Sequence, residues 1–373
     1  MWRGTTRYLF GRRGQRKVHG FRQYYRLRMM VPLLSRSAAW ATQSMPRARL
    51  WADREVFPRI MALLRKARHT VIIQIFIWKD DATGRAMAEL LTEIADRGVQ
   101  VTVHKEAVGD AFELNQDFLS TKRQKRGVWH RFWTHPNIRI AHATHNDHAK
   151  VYIIDDRTML VTGMNIADEY SDSWHDFMVE LHTPAAVERY LSRGEFPMPR
   201  GPVQLVMNTE NGKEMRKALM GLLRSAREGI VLEHCYFSDA AVVDALVERS
   251  RKGVEVTVIL PEQIDIHQHS NMQTVGRLLS QGSPQHLRIF MYPGILHGKA
   301  VLVDRERAFL GSANLVPQSL DEIGEVNVLI EGRYGTAVSR LRDIMRADIL
   351  KSRPLQSLPA FHWVSRFLAW LKL

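Results

Sequence analysis

His148-Ala149-Lys150-Val151-Tyr152-Ile153-Ile154-Asp155 recurs as His297-Gly298-Lys299-Ala300-Val301-Leu302-Val303-Asp304, at an offset of 149 residues. Both stretches read H-x-K-x4-D on an apolar, partly β-branched run, which is the composition of a buried strand. Side chains two apart on a strand share a face, so His148 goes with Lys150 and His297 with Lys299. Asp155 and Asp304 come seven residues after the histidines. That odd spacing turns them away from the His–Lys face, and they are expected to anchor the strand end. A lone unpaired ammonium on an apolar strand is costly, so a lysine that occurs there twice points to chemistry.

The correspondence extends in both directions. Thr162-Gly163-Met164-Asn165 matches Gly311-Ser312-Ala313-Asn314, and Asp176 matches Glu325, again at 149. Upstream, residues 63–68 (LLRKAR) match 222–227 (LLRSAR) at an offset of 159. Each is followed by an apolar strand (71–78, VIIQIFIW; 230–237, IVLEHCYF), a helix-patterned stretch (84–95; 240–249), a glycine and a second strand (97–103; 252–258). Strand, helix and strand, with glycine at the helix end, predict a parallel βαβ unit in each copy of a duplication. The Pro- and Gly-rich run at 194–204 (GEFPMPRGPVQ) reads as the junction. The expected organisation is a tail at 1–50, one domain at 51–195, a linker at 196–201, a second domain at 202–350 and a tail at 351–373.

Each half thus supplies an imidazole, an ammonium, an amide and a carboxylate. Two imidazoles can divide the work of nucleophile and general acid. Lys150 and Lys299, with the amides of Asn165 and Asn314, can stabilise the anionic oxygens of a phosphoryl group. Asp176 and Glu325 can each fix the tautomer of an imidazole. No metal is needed if the two lysines neutralise charge, and an ammonium in each cluster argues against a metal there. No cofactor is called for. His142, His145 and Asp147, before the first motif, read as solvated. Asp265, His267 and His269 read as a polar loop, Cys235 as a core residue, and Trp174 and His175 as the border of the site.

These residues resemble the signature of the phospholipase D superfamily, the duplicated H-x-K-x4-D followed by a small-residue turn with Asn, over nearly all of 51–350. The resemblance implies an α/β fold of two similar domains, each a mixed β-sheet flanked by helices. The domains would be related by a pseudo-twofold axis, with both motifs meeting in one site. It also implies that His148, Lys150, Asp155, His297, Lys299 and Asp304 form the catalytic set. One histidine would form a phosphohistidine, while the other protonates the leaving alcohol and then activates the incoming one. His148 is taken as the nucleophile, although sequence leaves the reverse assignment open. Within the superfamily the chain looks most like bacterial cardiolipin synthases of the short type without transmembrane helices. That likeness rests on Lys79-Asp80-Asp81-Ala82-Thr83-Gly84, Tyr236-Phe237, Gly311-Ser312-Ala313-Asn314-Leu315, Ser319 and Glu325. Two departures, Thr162 where a glycine is usual and Pro317-Gln318-Ser319 without the usual Arg, bear on lipid specificity more than on chemistry.

Composition sets the surroundings. Lys plus Arg is 53 against 39 Asp plus Glu, a formal charge of +14. Residues 1–50 hold twelve basic residues and no acid, and residues 351–373 hold four and none. The 37 basic and 39 acidic residues between them nearly cancel. Basic tails on a neutral body suit a polyanionic surface. The expected partners are an anionic phospholipid membrane and phospholipid substrates, with peripheral attachment at the cytoplasmic face of the inner (cell) membrane. Nucleic acid is disfavoured, because a nucleic-acid groove needs basic surface around the site. No apolar run approaches the ~20 residues that span a bilayer. The N-terminal tail is also Arg-rich and acid-poor in the manner of mitochondrial presequences. At the other end, Phe361, Val364, Phe367, Leu368 and Leu371 form one helical face, which either lies in a membrane interface or docks on the protein's own core. The expected activity is phosphatidyl transfer that makes cardiolipin from phosphatidylglycerol or another phospholipid donor. Hydrolysis to phosphatidic acid, a metal-independent phosphodiesterase or nuclease, and a non-catalytic binding protein are the alternatives.

Overall fold

The computed structural model describes residues 48–106, 109, 127–142, 147–263, 268–332 and 336–357. Most of the N-terminal tail, His145, Asp265, His267 and the apolar C-terminal face lie outside the described residues.

The first sheet comprises β1 (Ala48–Ala52), β2 (Thr70–Ile75), β3 (Gln100–Lys105), β4 (Ile138–His142), β5 (Lys150–Ile154), β6 (Thr158–Thr162) and β7 (Phe177–His182). Its order is β1-β7-β6-β5-β2-β3-β4. The second sheet comprises β8 (Val203–Asn208), β9 (Gly229–His234), β10 (Glu255–Gln263), β11 (Leu287–Ile295), β12 (Lys299–Val303), β13 (Arg307–Gly311), β14 (Glu325–Glu331) and β15 (Arg353–Pro354). Taken from β8, its order is β8-β14-β13-β12-β9-β10-β11, the same arrangement with β15 added at the edge. The duplication seen in sequence is therefore a duplication of topology.

The βαβ units form as expected. β2 pairs parallel to β3, and β9 parallel to β10. All six residues of β2 are buried, as in a strand covered on both faces. The crossover helices, Ala82–Asp96 and Ala240–Arg251, begin with aspartates whose carboxylates accept backbone N–H groups, Asp81 from Gly84 and Asp239 from Val242. Both helices give way to a glycine in the left-handed region, Gly98 at φ 93° and Gly253 at φ 86°.

The last motif residue explains itself locally. Asp155 and Asp304 begin the turns that join β5 to β6 and β12 to β13, with φ of 52° and 51°, a conformation that aspartate tolerates better than most residues. From there the Asp155 carboxylate accepts the backbone N–H groups of Arg68, His69 and Thr70 at the start of β2. Asp304 does the same for Arg227, Glu228 and Gly229 at the start of β9. Each motif aspartate thus staples its hairpin to the neighbouring central strand.

The halves are locked together within one compact unit. β7 packs on β13 and β6 on β14. The helix that ends the first half, Pro184–Leu191, packs on β8, and its counterpart Thr336–Lys351 packs on β1. Ala48–Leu50 and Arg353–Pro354, both inside segments read as tails, pair with β7 and β11 respectively.

Replacing Asp304 by Ala leaves three backbone donors without their acceptor. It is expected to cost about 1–3 kcal/mol of stability, measured by urea unfolding, with Asp304→Asn costing less because one acceptor oxygen remains.

Candidate active site

Lys150 and Lys299 open β5 and β12, and the histidines stand two residues before them. Each ammonium is tied back to its own motif. Lys150 Nζ donates to the His148 carbonyl oxygen (2.6 Å) and Lys299 Nζ to the His297 carbonyl oxygen (2.5 Å). Lys299 Nζ also stands 3.2 Å from His297 Nε2. Both lysines are buried, on the same face as the histidines, as strand periodicity requires.

The carboxylates cross over. Glu325 of the second half lies 3.1 Å from Nδ1 of His148 in the first, and Asp176 of the first lies 2.7 Å from Nδ1 of His297 in the second. Backbone bridges do the same: His148 N donates to Gly324 O, while His297 N and Gly298 N donate to His175 O. Two glycines permit this approach. A Cβ on Gly324 would meet Asp147 Cγ at 2.8 Å, and one on Gly163 would meet Asp176 Oδ2 at 2.6 Å. Ser312 stands where Gly163 does in the other half, and its hydroxyl donates to Glu325 (2.5 Å). One half seats its carboxylate by leaving room, the other by a hydrogen bond.

The electrostatics separate the two imidazoles' neighbours. Burial, and then the Lys150 ammonium, hold His148 below the usual imidazole range against the opposing pull of Glu325. Burial also lowers Lys150 to about 7 and raises Asp176 to about 6. The rings of Tyr170, Trp174 and Tyr236 surround His297 at centroid distances of 5.1, 5.4 and 6.4 Å, and Phe76 meets His148 edge-on at 4.9 Å. A phosphoester bound here would be gripped by ammonium groups and walled by aromatic rings.

The structure redistributes several expected roles. His148, Lys150, His297, Lys299, Asp176 and Glu325 come together. Asp155 and Asp304 do not join them; they hold backbone amides at the strand ends. The Asn165 carbonyl accepts from Ile77 N and its amide donates to the Tyr170 hydroxyl. Asn314 accepts from the Cys235 thiol, which is buried as expected. Asp147 is not solvated: it is buried, accepts from Ala149 N and pairs with Arg193 at 3.3 Å. His269 lies in the helix Gln268–Gln281 rather than in a loop. Trp174 does border the site, but His175 points the other way, into a buried cluster with Asp53, Glu233 and Asp348. His234 was not singled out by sequence. Burial, with the Lys299 ammonium nearby, holds its imidazole well below the usual range, and only its place one residue after Glu233 in a duplicated strand could have drawn notice.

A family model described as "Cardiolipin synthase, PLD-like domain" matches residues 60–193 and 219–349. The chain is similar to the major cardiolipin synthase ClsA of Bacillus subtilis (strain 168), 26% identical over 338 residues that cover 80% of this chain and 68% of that protein. It is also similar to cardiolipin synthase B of Escherichia coli (strain K12), 25% identical over 367 residues that cover 85% and 88%. The crystal structure of phosphatidylserine synthase from Haemophilus influenzae Rd KW20 shares its fold, with a TM-score of 0.71 at 13% identity over 87% of this chain and 93% of that one.

Because Glu325 is what holds the His148 pKa up, Glu325→Gln is expected to move the His148 titration to lower pH. Histidine-resolved NMR would read the shift.

Proposed function

The chain belongs to the cardiolipin synthase family of phospholipase D-like proteins, and from that membership we propose that it is a phosphatidyltransferase that makes cardiolipin from phosphatidylglycerol. The observation that carries the reaction is the pair of imidazoles, each with a carboxylate from the opposite half and an ammonium from its own.

His148 is the nucleophile. Its Nδ1 is taken by Glu325, which leaves Nε2 for phosphorus, and its depressed pKa keeps that nitrogen unprotonated near neutrality. As Nε2 bonds to phosphorus, the bond to the departing glycerol oxygen breaks and that oxygen takes a proton from His297 Nε2. Glycerol leaves. His297 then takes the proton from the terminal hydroxyl of a second phosphatidylglycerol, whose oxygen displaces His148 from phosphorus. Two phosphatidylglycerols become one cardiolipin and one glycerol. Lys150 and Lys299 neutralise the non-bridging oxygens throughout. Asp176 fixes the His297 tautomer and supports its cation.

Among the described residues no helix is long and apolar enough to cross a membrane. Peripheral attachment at the cytoplasmic face, through basic tails on an anionic bilayer, fits a nearly neutral catalytic body.

Purified protein on phosphatidylglycerol vesicles is expected to yield cardiolipin and glycerol by mass spectrometry. Phosphatidic acid as the main product would instead establish hydrolysis. His148→Ala and His297→Ala are each expected to lose at least ~10³-fold in kcat. Labelled phosphohistidine should accumulate in His297→Ala and be absent from His148→Ala; the reverse would exchange the two roles.

The pH profile of kcat/KM is expected to be a bell. Asp176, raised to about 6, is protonated as pH falls through that value and the His297 orientation is lost. Lys150, lowered to about 7, loses its charge as pH rises through that value and the phosphate grip weakens. Asp176→Asn should lower the rate and remove the acidic limb.

A further inference from the structure

Behind the catalytic imidazole of His297 lies a second cluster that the proposed reaction does not use. His175, Glu233 and Asp348 are all buried, at 5%, 0% and 1% exposure. They come from three places: the link before β7, the strand β9 and the helix Thr336–Lys351. His175 Nδ1 stands 2.6 Å from Asp53 Oδ1. A carboxylate there makes Nδ1 a donor and turns Nε2 toward the cluster. Against burial, which lowers it, Glu233, Asp348 and Asp53 raise the His175 pKa well above the usual imidazole range, and a metal ion would take the place of the Nε2 proton on that nitrogen's lone pair.

That lone pair meets two more acceptors. Glu233 Oε1 is 2.9 Å from Nε2 and Asp348 Oδ2 is 3.3 Å from it. Neither distance is a hydrogen bond: His175 Nε2, Asp348 Oδ2 and both oxygens of Glu233 are buried without a hydrogen-bonding partner. A proton on Nε2 would point along one direction and could satisfy one acceptor lying on it. Here the carboxylates flank that direction. An ion on the lone-pair axis, at the ~2.1 Å typical of zinc–nitrogen and zinc–oxygen bonds, holds its ligand atoms about 3.4 Å apart in a tetrahedron, close to the spacing found. All three ligand atoms lie within 4.8 Å of one another.

We propose that His175 Nε2, Glu233 Oε1 and Asp348 Oδ2 form a site for a divalent transition metal of the zinc class, which clamps the two halves together behind His297. One nitrogen and two oxygens suit zinc or its neighbours better than magnesium or calcium. Asp53 orients the imidazole, as second-layer carboxylates do for zinc-bound histidines. Lys351 Nζ, 3.2 Å from Asp348 Oδ1, occupies the oxygen that the metal leaves free. The duplication offers a control. By strand register Gln74 holds the place of Glu233, and Gly324 that of His175, so two of the three ligand positions are replaced in the other half. The clamp bears on the catalytic centre, because the His175 carbonyl accepts from His297 N and the next residue, Asp176, orients its ring.

The test uses the full chain, stripped with EDTA and then dialysed against Zn²⁺. One zinc per chain by elemental analysis is expected, with a melting temperature raised by about 5 °C relative to the stripped protein. Co²⁺ in its place should give the visible absorption of a tetrahedral complex. His175→Ala, Glu233→Gln and Asp348→Asn should each lose the metal, the melting increment and the cobalt spectrum. The two near-isosteric amides keep the test readable if His175→Ala fails to fold. Substoichiometric zinc in the reloaded wild type, or one equivalent retained in the folded amide variants, overturns the proposal. The first of these results would leave an imidazolium between two carboxylates.

Discussion

Two hydrogen bonds, His148 to Glu325 and His297 to Asp176, hold the rest of this structure to account, because each crosses from one half of the duplication to the other. A half on its own carries an imidazole without its orienting carboxylate and a carboxylate without its imidazole. The packing of β7 on β13, the exchange of terminal helices and the glycines at 163 and 324 all serve the same close approach. The duplicated fold is therefore a divided active site, each half of which is completed by its twin.

The arrangement also answers an energetic problem. Lys150, Lys299, Asp176 and Glu325 are all essentially buried, and an isolated charge in such a place is strongly penalised. Two ammonium groups and two carboxylates balance in sign, so the cost is tolerable only when both halves are assembled. What remains of it is visible in the pKa values, with Lys150 pulled down and Asp176 pushed up by burial. The same burial that makes the cluster expensive brings Lys150 and Asp176 toward neutral pH, where proton transfer and phosphate binding are both possible. The buried carboxylates around His175 raise a similar difficulty on the far side of the catalytic imidazole, and a metal ion is one physical way to resolve it.

Much of the fold was legible in the chain. Period-two alternation placed His and Lys on one face, the βαβ order was visible from apolar runs and helix-ending glycines, and the odd spacing of Asp155 and Asp304 turned them from that face to the strand end, where the fold gives them backbone amides to hold. Misreadings fell where a residue's partner is distant in sequence. Asp147 read as solvated because nothing nearby announces Arg193 or Gly324. The bonds of Asn165 to Ile77 N and the Tyr170 hydroxyl were likewise invisible, because they require the folded loop. His175 read as a neighbour of the site mouth, since adjacency to Trp174 and Asp176 says nothing about which way an alternating chain turns it.

The sequence by itself determined that this protein is a duplicated α/β chain carrying two His–Lys pairs, because strand period, turn chemistry and repeat spacing are local properties that survive in one dimension. Only the tertiary structure decided which carboxylate serves which imidazole. The partners lie 177 and 121 residues apart, and no periodicity reaches that far. Each half could equally have paired its own histidine with its own acid. The crossing follows from the packing of β7 on β13 and of β6 on β14, which burial of shared surface settles rather than any spacing along the chain.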